Sequence, residues 1–86
     1  MTEPFPDTLG RRIMSARMRR GVKQAELARA IGISANSLVK IEKGVTANPG
    51  ALIVRDIARA LRVSTDYLLG LCDDIEGTAA PTAMLA

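Results

Sequence analysis

Asn36, Lys40 and Lys43 follow one another at spacings of four and three residues, and Ala35 and Val39 stand four apart beside them. On a helix, such spacings gather side chains onto one side. That side would carry an amide, two ammonium groups and two methyl-bearing chains. An amide forms paired hydrogen bonds with an adenine edge, an ammonium donates to O6 and N7 of guanine, and a methyl group suits the thymine methyl. This is the chemistry of recognition. Bond-making chemistry finds little support, because the chain has no His, one Cys and one Tyr. It also lacks a glycine-rich phosphate loop and an H-E-x-x-H pattern. No cofactor is indicated, and the carboxylates Asp73, Asp74 and Glu76 read as a solvated tail rather than a metal site.

The elements that must position this face are legible around it. Leu27 and Ile31 are four apart and share one face of a helix, and Leu38 and Ile41, three apart, share one face of the next. Gly32 between them ends the first sharply, and Ser34 offers a hydroxyl to cap the second. Small Ala28 lies where two helix backbones would approach. This is helix-turn-helix spacing, in which the second helix presents its outer face to the DNA major groove. Around the motif, a first helix is expected over 8–20 with Leu9, Ile13 and Ala16 on one side, and the motif helices over 23–31 and 34–43. Asn48 followed by Pro49 predicts a fourth helix over 49–61, with Val54, Ile57, Ala58 and Leu61 inward. Ser64 predicts a fifth helix ending near Leu69. No strand pattern appears.

Length and charge agree with a single small helical domain. Eighty-six residues allow one modest core, drawn from Ala, Leu, Ile, Val and Met because Phe5 and Tyr67 are the sole aromatics. No apolar run approaches the roughly 20 residues of a membrane span. The N-terminus, with Glu3, Asp7 and two prolines, is unlike a signal peptide, and lone Cys72 leaves no intrachain disulfide, so a cytoplasmic location is expected. The net charge of +3 is unevenly spread. From Arg11 to Lys43 nine bases face two acids, whereas from Gly44 onward three bases face five acids. A basic half carrying the motif fits a polyanionic partner, although charge alone would equally describe a solvated helix face.

Arg17, the string Gln24-Ala25-Glu26-Leu27-Ala28, the Gly32-Ile33-Ser34 turn, Ile41-Glu42-Lys43-Gly44, Pro49 and Tyr67-Leu68-Leu69-Gly70 occur in this order and spacing. Over about Leu9 to Leu71 the chain resembles the Cro and phage-repressor family of helix-turn-helix proteins, often called the Xre family. The resemblance implies an all-α, five-helix lambda-repressor-like DNA-binding domain over 8–71, with the helix-turn-helix at helices 2 and 3. A short arm would precede it at 1–7, and a flexible tail over 72–86 would follow and contribute to a dimer. It implies base readers at Ala35, Asn36, Val39 and Lys40. The expected phosphate contacts are Lys23, Gln24, Ser37, Lys43 and Asn48, helped by the positive N-termini of helices 2 and 4. Arg17 and Glu42 are implied to form a structural salt bridge that orients the reading helix. At the position before Gln24 the family commonly has a capping Ser, Thr or Asn. Here it is Lys23, which opposes the helix dipole by roughly 0.3–1 kcal/mol, a cost that a nearby phosphate would explain.

One small domain grips few phosphates, and the fifth helix is rich in apolar residues. Tyr67, Leu68 and Leu71 are therefore expected at an isologous dimer interface, with Met84 and Leu85 strapping across and Cys72 an apolar filler beside it. The function these features imply is a double-stranded DNA-binding transcription regulator. It would be a homodimeric repressor reading an inverted repeat, acting at its own promoter. A restriction–modification controller and an antitoxin with a separate protein partner share the same domain. An interaction module that has lost DNA binding is disfavoured by the basic, polar reading helix. No membrane partner is expected.

Overall fold

Thr8 opens the fold as an N-cap, its hydroxyl accepting a hydrogen bond from the Arg11 backbone N–H at 3.1 Å. The computed structural model describes residues 8–75. These form α1 (Leu9–Arg19), α2 (Gln24–Ile31), α3 (Ala35–Glu42), α4 (Ala51–Leu61) and α5 (Thr65–Leu68), with no strand among the described residues. Hydroxyl caps start two more of the helices: Ser34 Oγ accepts from Ser37 N at 3.0 Å and Ser64 Oγ from Tyr67 N at 2.9 Å. Each satisfies one N–H that the first helical turn leaves without a partner.

α4 begins two residues later than the Asn48-Pro49 pair suggests. Gly50 lies between, at φ 105° and ψ 152°, a region essentially reserved for glycine. Such a residue cannot continue from Pro49 into a helix, so Pro49 belongs to the connection and α4 starts at Ala51. At its other end α4 stops on Arg62, whose φ of 58° is left-handed without being glycine, at a cost of roughly 1–2 kcal/mol. The Arg20 guanidinium closes over this end. It donates from Nε to the Leu61 carbonyl and from Nη2 to the Arg62 carbonyl, both at 2.9 Å.

The core forms where the apolar faces of α1, α2, α3, α4 and α5 meet. Ile13, Leu27, Leu38, Ile57, Leu61 and Leu68 are fully buried within it, each stabilising the fold by about 1.5–3 kcal/mol relative to exposure. The inward set expected for α4, Val54, Ile57, Ala58 and Leu61, is buried.

The boundary expected at Leu71 is too early. Arg12, 7% exposed, stacks over the Tyr67 ring at 4.9 Å. Its Nη1 donates to the carbonyls of Tyr67 and Cys72, and its Nη2 to Asp73 Oδ1. The Ser64 N–H donates to the Ile75 carbonyl at 3.0 Å, and Ile75 packs against the core. The chain through Ile75 therefore belongs to the folded unit, because a buried guanidinium needs those acceptors. Met84, Leu85, Glu76 and the arm at 1–7 lie outside the described residues.

Candidate nucleic-acid interface

The turn of the helix-turn-helix is made by backbone bonds. Gly32 adopts φ 78°, and the Ile33 N–H reaches back to the Ala28 carbonyl at 3.0 Å, the closing bond of a glycine-ended helix. Ile33 and Ile31 are partly buried against the core, and Ser34 immediately caps α3. The inner face of α3 is Leu38, Ile41 and Glu42, all buried. With that face committed, Ala35, Asn36, Ser37, Lys40 and Lys43 are exposed and Val39 is half-buried. The four expected base readers thus lie together on the side of α3 turned away from the core.

α3 is anchored at its end by a charged cluster. Glu42, 3% exposed, accepts from Arg17 Nε at 2.8 Å and Arg17 Nη2 at 3.1 Å, a two-pronged pair. Arg17 Nη1 donates to the Val22 carbonyl at 3.1 Å, which adds the α1–α2 connection to the cluster. The Glu42 Oε1 also accepts from Gln24 Nε2 at 2.9 Å, so half-buried Gln24 opens α2 with its amide already engaged. Gly10 makes the α1–α3 contact close. A Cβ there would overlap the carbonyl oxygens of Ile41 and Glu42.

The other expected phosphate contacts are on the surface. Lys23 caps α2 without a side-chain bond to its free N–H groups, and its own N–H donates to Glu26 Oε1 at 2.8 Å. Ser37 Oγ accepts from Ser34 Oγ at 2.9 Å, which leaves its own proton to give outward. Lys43 and Asn48 are exposed on either side of the α3–α4 connection. The start of α4 carries no side-chain cap.

The structure changes the charge picture. Of the nine bases between Arg11 and Lys43, Arg12, Arg17 and Arg20 are spent on internal carbonyls and carboxylates. Arg11, Arg19, Lys23, Arg29, Lys40 and Lys43 are exposed. A charge count is blind to this, but spacing is not: Arg20 continues the Leu9, Ile13, Ala16 line, and Arg12 and Arg17 border it.

Two of the residues expected at a dimer interface are elsewhere. Tyr67 and Leu68 are inside the domain, at 7% and 0% exposure, and have no area left for a second subunit. Leu71 is exposed, as are Leu69 and Leu52. Leu69 edges a groove of about 490 Å3 that also touches Leu9, Ala51 and Val54. Cys72 is half-buried, its sulfur bonded to the Asp74 backbone. Among the described residues no group of acidic or thiol side chains could hold a metal ion, and no helix is long and apolar enough to cross a membrane.

Comparison with known proteins agrees with this geometry. The helix-turn-helix family model matches residues 13–68. A Bacillus subtilis protein described as the uncharacterized HTH-type transcriptional regulator YazB is 42% identical over 59 residues, 69% of this chain and 84% of that one. The N-terminal DNA binding domain of SinR from Bacillus subtilis superposes with a TM-score of 0.67 at 31% identity, covering 71% of this chain and 88% of the other. The P22 c2 repressor, solved with a synthetic operator, gives a TM-score of 0.67 at 30% identity, covering 74% and 96%. With its five helices and its motif at α2 and α3, the chain belongs to the helix-turn-helix family, in the lineage of Cro and the phage repressors.

Proposed function

We propose that this chain is a sequence-specific double-stranded DNA-binding transcription regulator that inserts α3 into the major groove and represses its own promoter. The observation that carries the reading is the division of α3 into two faces. One face is locked to the core through Leu38, Ile41 and Glu42. The other presents Asn36 and Lys40 beside the methyl groups of Ala35 and Val39. Lys23, Ser37, Lys43, Asn48, the Gln24 amide and the uncapped start of α4 surround it with phosphate donors. SinR has been solved in complex with DNA, and the P22 c2 repressor with an operator, which supports the same use here.

A domain with six exposed bases besides Arg20 in its basic half doubles its grip by pairing on a two-fold site. With Tyr67 and Leu68 committed to the core, the self-association surface falls to Leu71, Leu69 and the adjoining groove. A second reading, that a separate protein covers these leucines, draws support from the SinR–SinI complex. Titration of a mixed-sequence duplex at several salt concentrations tests the main reading. Steep weakening with salt is expected, at about 0.9 in log–log slope per phosphate neutralised. Absence of binding even at low salt would contradict it.

A further inference from the structure

We propose that Glu42 is a positioning residue for Gln24, holding its amide so that one N–H is presented to a DNA phosphate. One buried carboxylate would thus tie the end of the base-reading helix to the phosphate-gripping start of α2. The proposal rests on the DNA-binding reading above and deepens it.

An ionised carboxylate only accepts hydrogen bonds, and Glu42 accepts three: two from Arg17 and one from Gln24 Nε2 at 2.9 Å. Being 3% exposed, it has no water to exchange for these donors. The amide must therefore face it nitrogen first, since its carbonyl oxygen would meet another acceptor. The two N–H bonds of a planar amide diverge by about 120°, so the N–H not bonded to Glu42 points away from the carboxylate. Gln24 is half-buried, which leaves this second N–H a path to solvent. Gln24 is itself the first residue of α2, whose first-turn backbone N–H groups carry partial positive charge. The Arg17 guanidinium that braces Glu42 is itself fixed by the Val22 carbonyl, so the orientation is inherited from rigid elements. Glu42 is the last residue of α3. Any displacement of the reading helix moves the carboxylate, and with it the donor offered to the backbone. An unheld glutamine would have to be ordered on binding, weakening affinity by about two- to tenfold. A neutral donor displaces no counterion of its own, so it adds affinity without salt slope.

Gln24 is the sole glutamine of the chain, so a 15N-glutamine label reports one side-chain amide. In the free protein one proton should exchange with water far more slowly than its twin and lie away from its free-amide position. Addition of a mixed-sequence 20-base-pair duplex at low salt should then shift the second proton. Gln24→Met should weaken duplex binding by about two- to tenfold, with the salt slope nearly unchanged and the thermal midpoint lowered, because buried Glu42 loses one of its donors. Glu42→Ala, measured below its melting temperature, should return the amide to fast, equal exchange. Free-amide behaviour in the wild type, or a Gln24→Met variant that binds as the wild type does, would overturn the proposal. Binding that persists in those cases leaves the DNA-binding reading standing, whereas loss of all duplex binding by the wild type overturns both.

Discussion

Lys23 sits at the cap position of α2 with a side chain that can donate but not accept. A serine there would bond the free N–H groups of the first turn and stabilise the helix by about 0.5–2 kcal/mol. Lysine has instead a charge to offer a phosphate. Lys23→Ser should therefore raise the thermal midpoint while lowering the salt slope of duplex binding by about 0.9 per protomer. An unchanged slope would remove Lys23 from the phosphate set. Asn36 belongs to the other class of contact. It is exposed on the outer face of α3, and its amide offers donor and acceptor together. Asn36→Ala should erase preference at one base-pair position, a loss of about 1–3 kcal/mol between the preferred base and its competitors. Competition binding with single-base variants of a bound duplex checks this, and an equal loss across all sequences would contradict it.

The orientation of α3 depends on how closely α1 crosses it. At Gly10 the backbones touch, and an added Cβ would meet the carbonyl oxygens of Ile41 and Glu42 rather than a yielding side chain. Gly10→Ala should push the helices apart and lower stability by about 1–3 kcal/mol, read as a fall in thermal midpoint. An unshifted midpoint would show that the crossing has slack. Nothing in the sequence marks Gly10, because its neighbours across the crossing are more than thirty residues away. The elements fixed by local chemistry were legible: Gly32 in the turn, Ser34 and Ser64 as caps, and the inward faces of α2, α3 and α4. What local chemistry could not show was how side chains are shared between distant elements. Arg12, Arg17 and Arg20 count as positive charge in the sequence, yet each satisfies acceptors brought in from α3, α4 or the segment after α5. Tyr67 and Leu68 look like surplus apolar surface until α1 packs on them. Gly50 shows why a good start signal can miss by two residues, since Asn48-Pro49 describes a cap but not the bend that follows.

At the scale of the molecule, the domain is a small core braced by Arg12, Arg17 and Arg20, with six other bases exposed in its basic half for a polyanion. Too few charges for tight binding argue for two copies on one duplex. Exposed Leu71, with Leu69 on the rim of the groove, is the apolar surface available for that pairing. Leu71→Glu should leave the stability of the domain within about 0.5 kcal/mol of wild type, as for other exposed sites. It should shift sedimentation from dimer to monomer and weaken binding to a two-fold site. A variant that still pairs would place association elsewhere, and a monomeric wild type would contradict the pairing.

The most direct test of the account is selection of bound duplexes from a random DNA pool with the wild-type protein at moderate salt, read by sequencing. Enrichment of an inverted repeat with half-site centres about 10–11 base pairs apart, or a multiple of that, is the predicted result. A pool that emerges without any enriched sequence would contradict it.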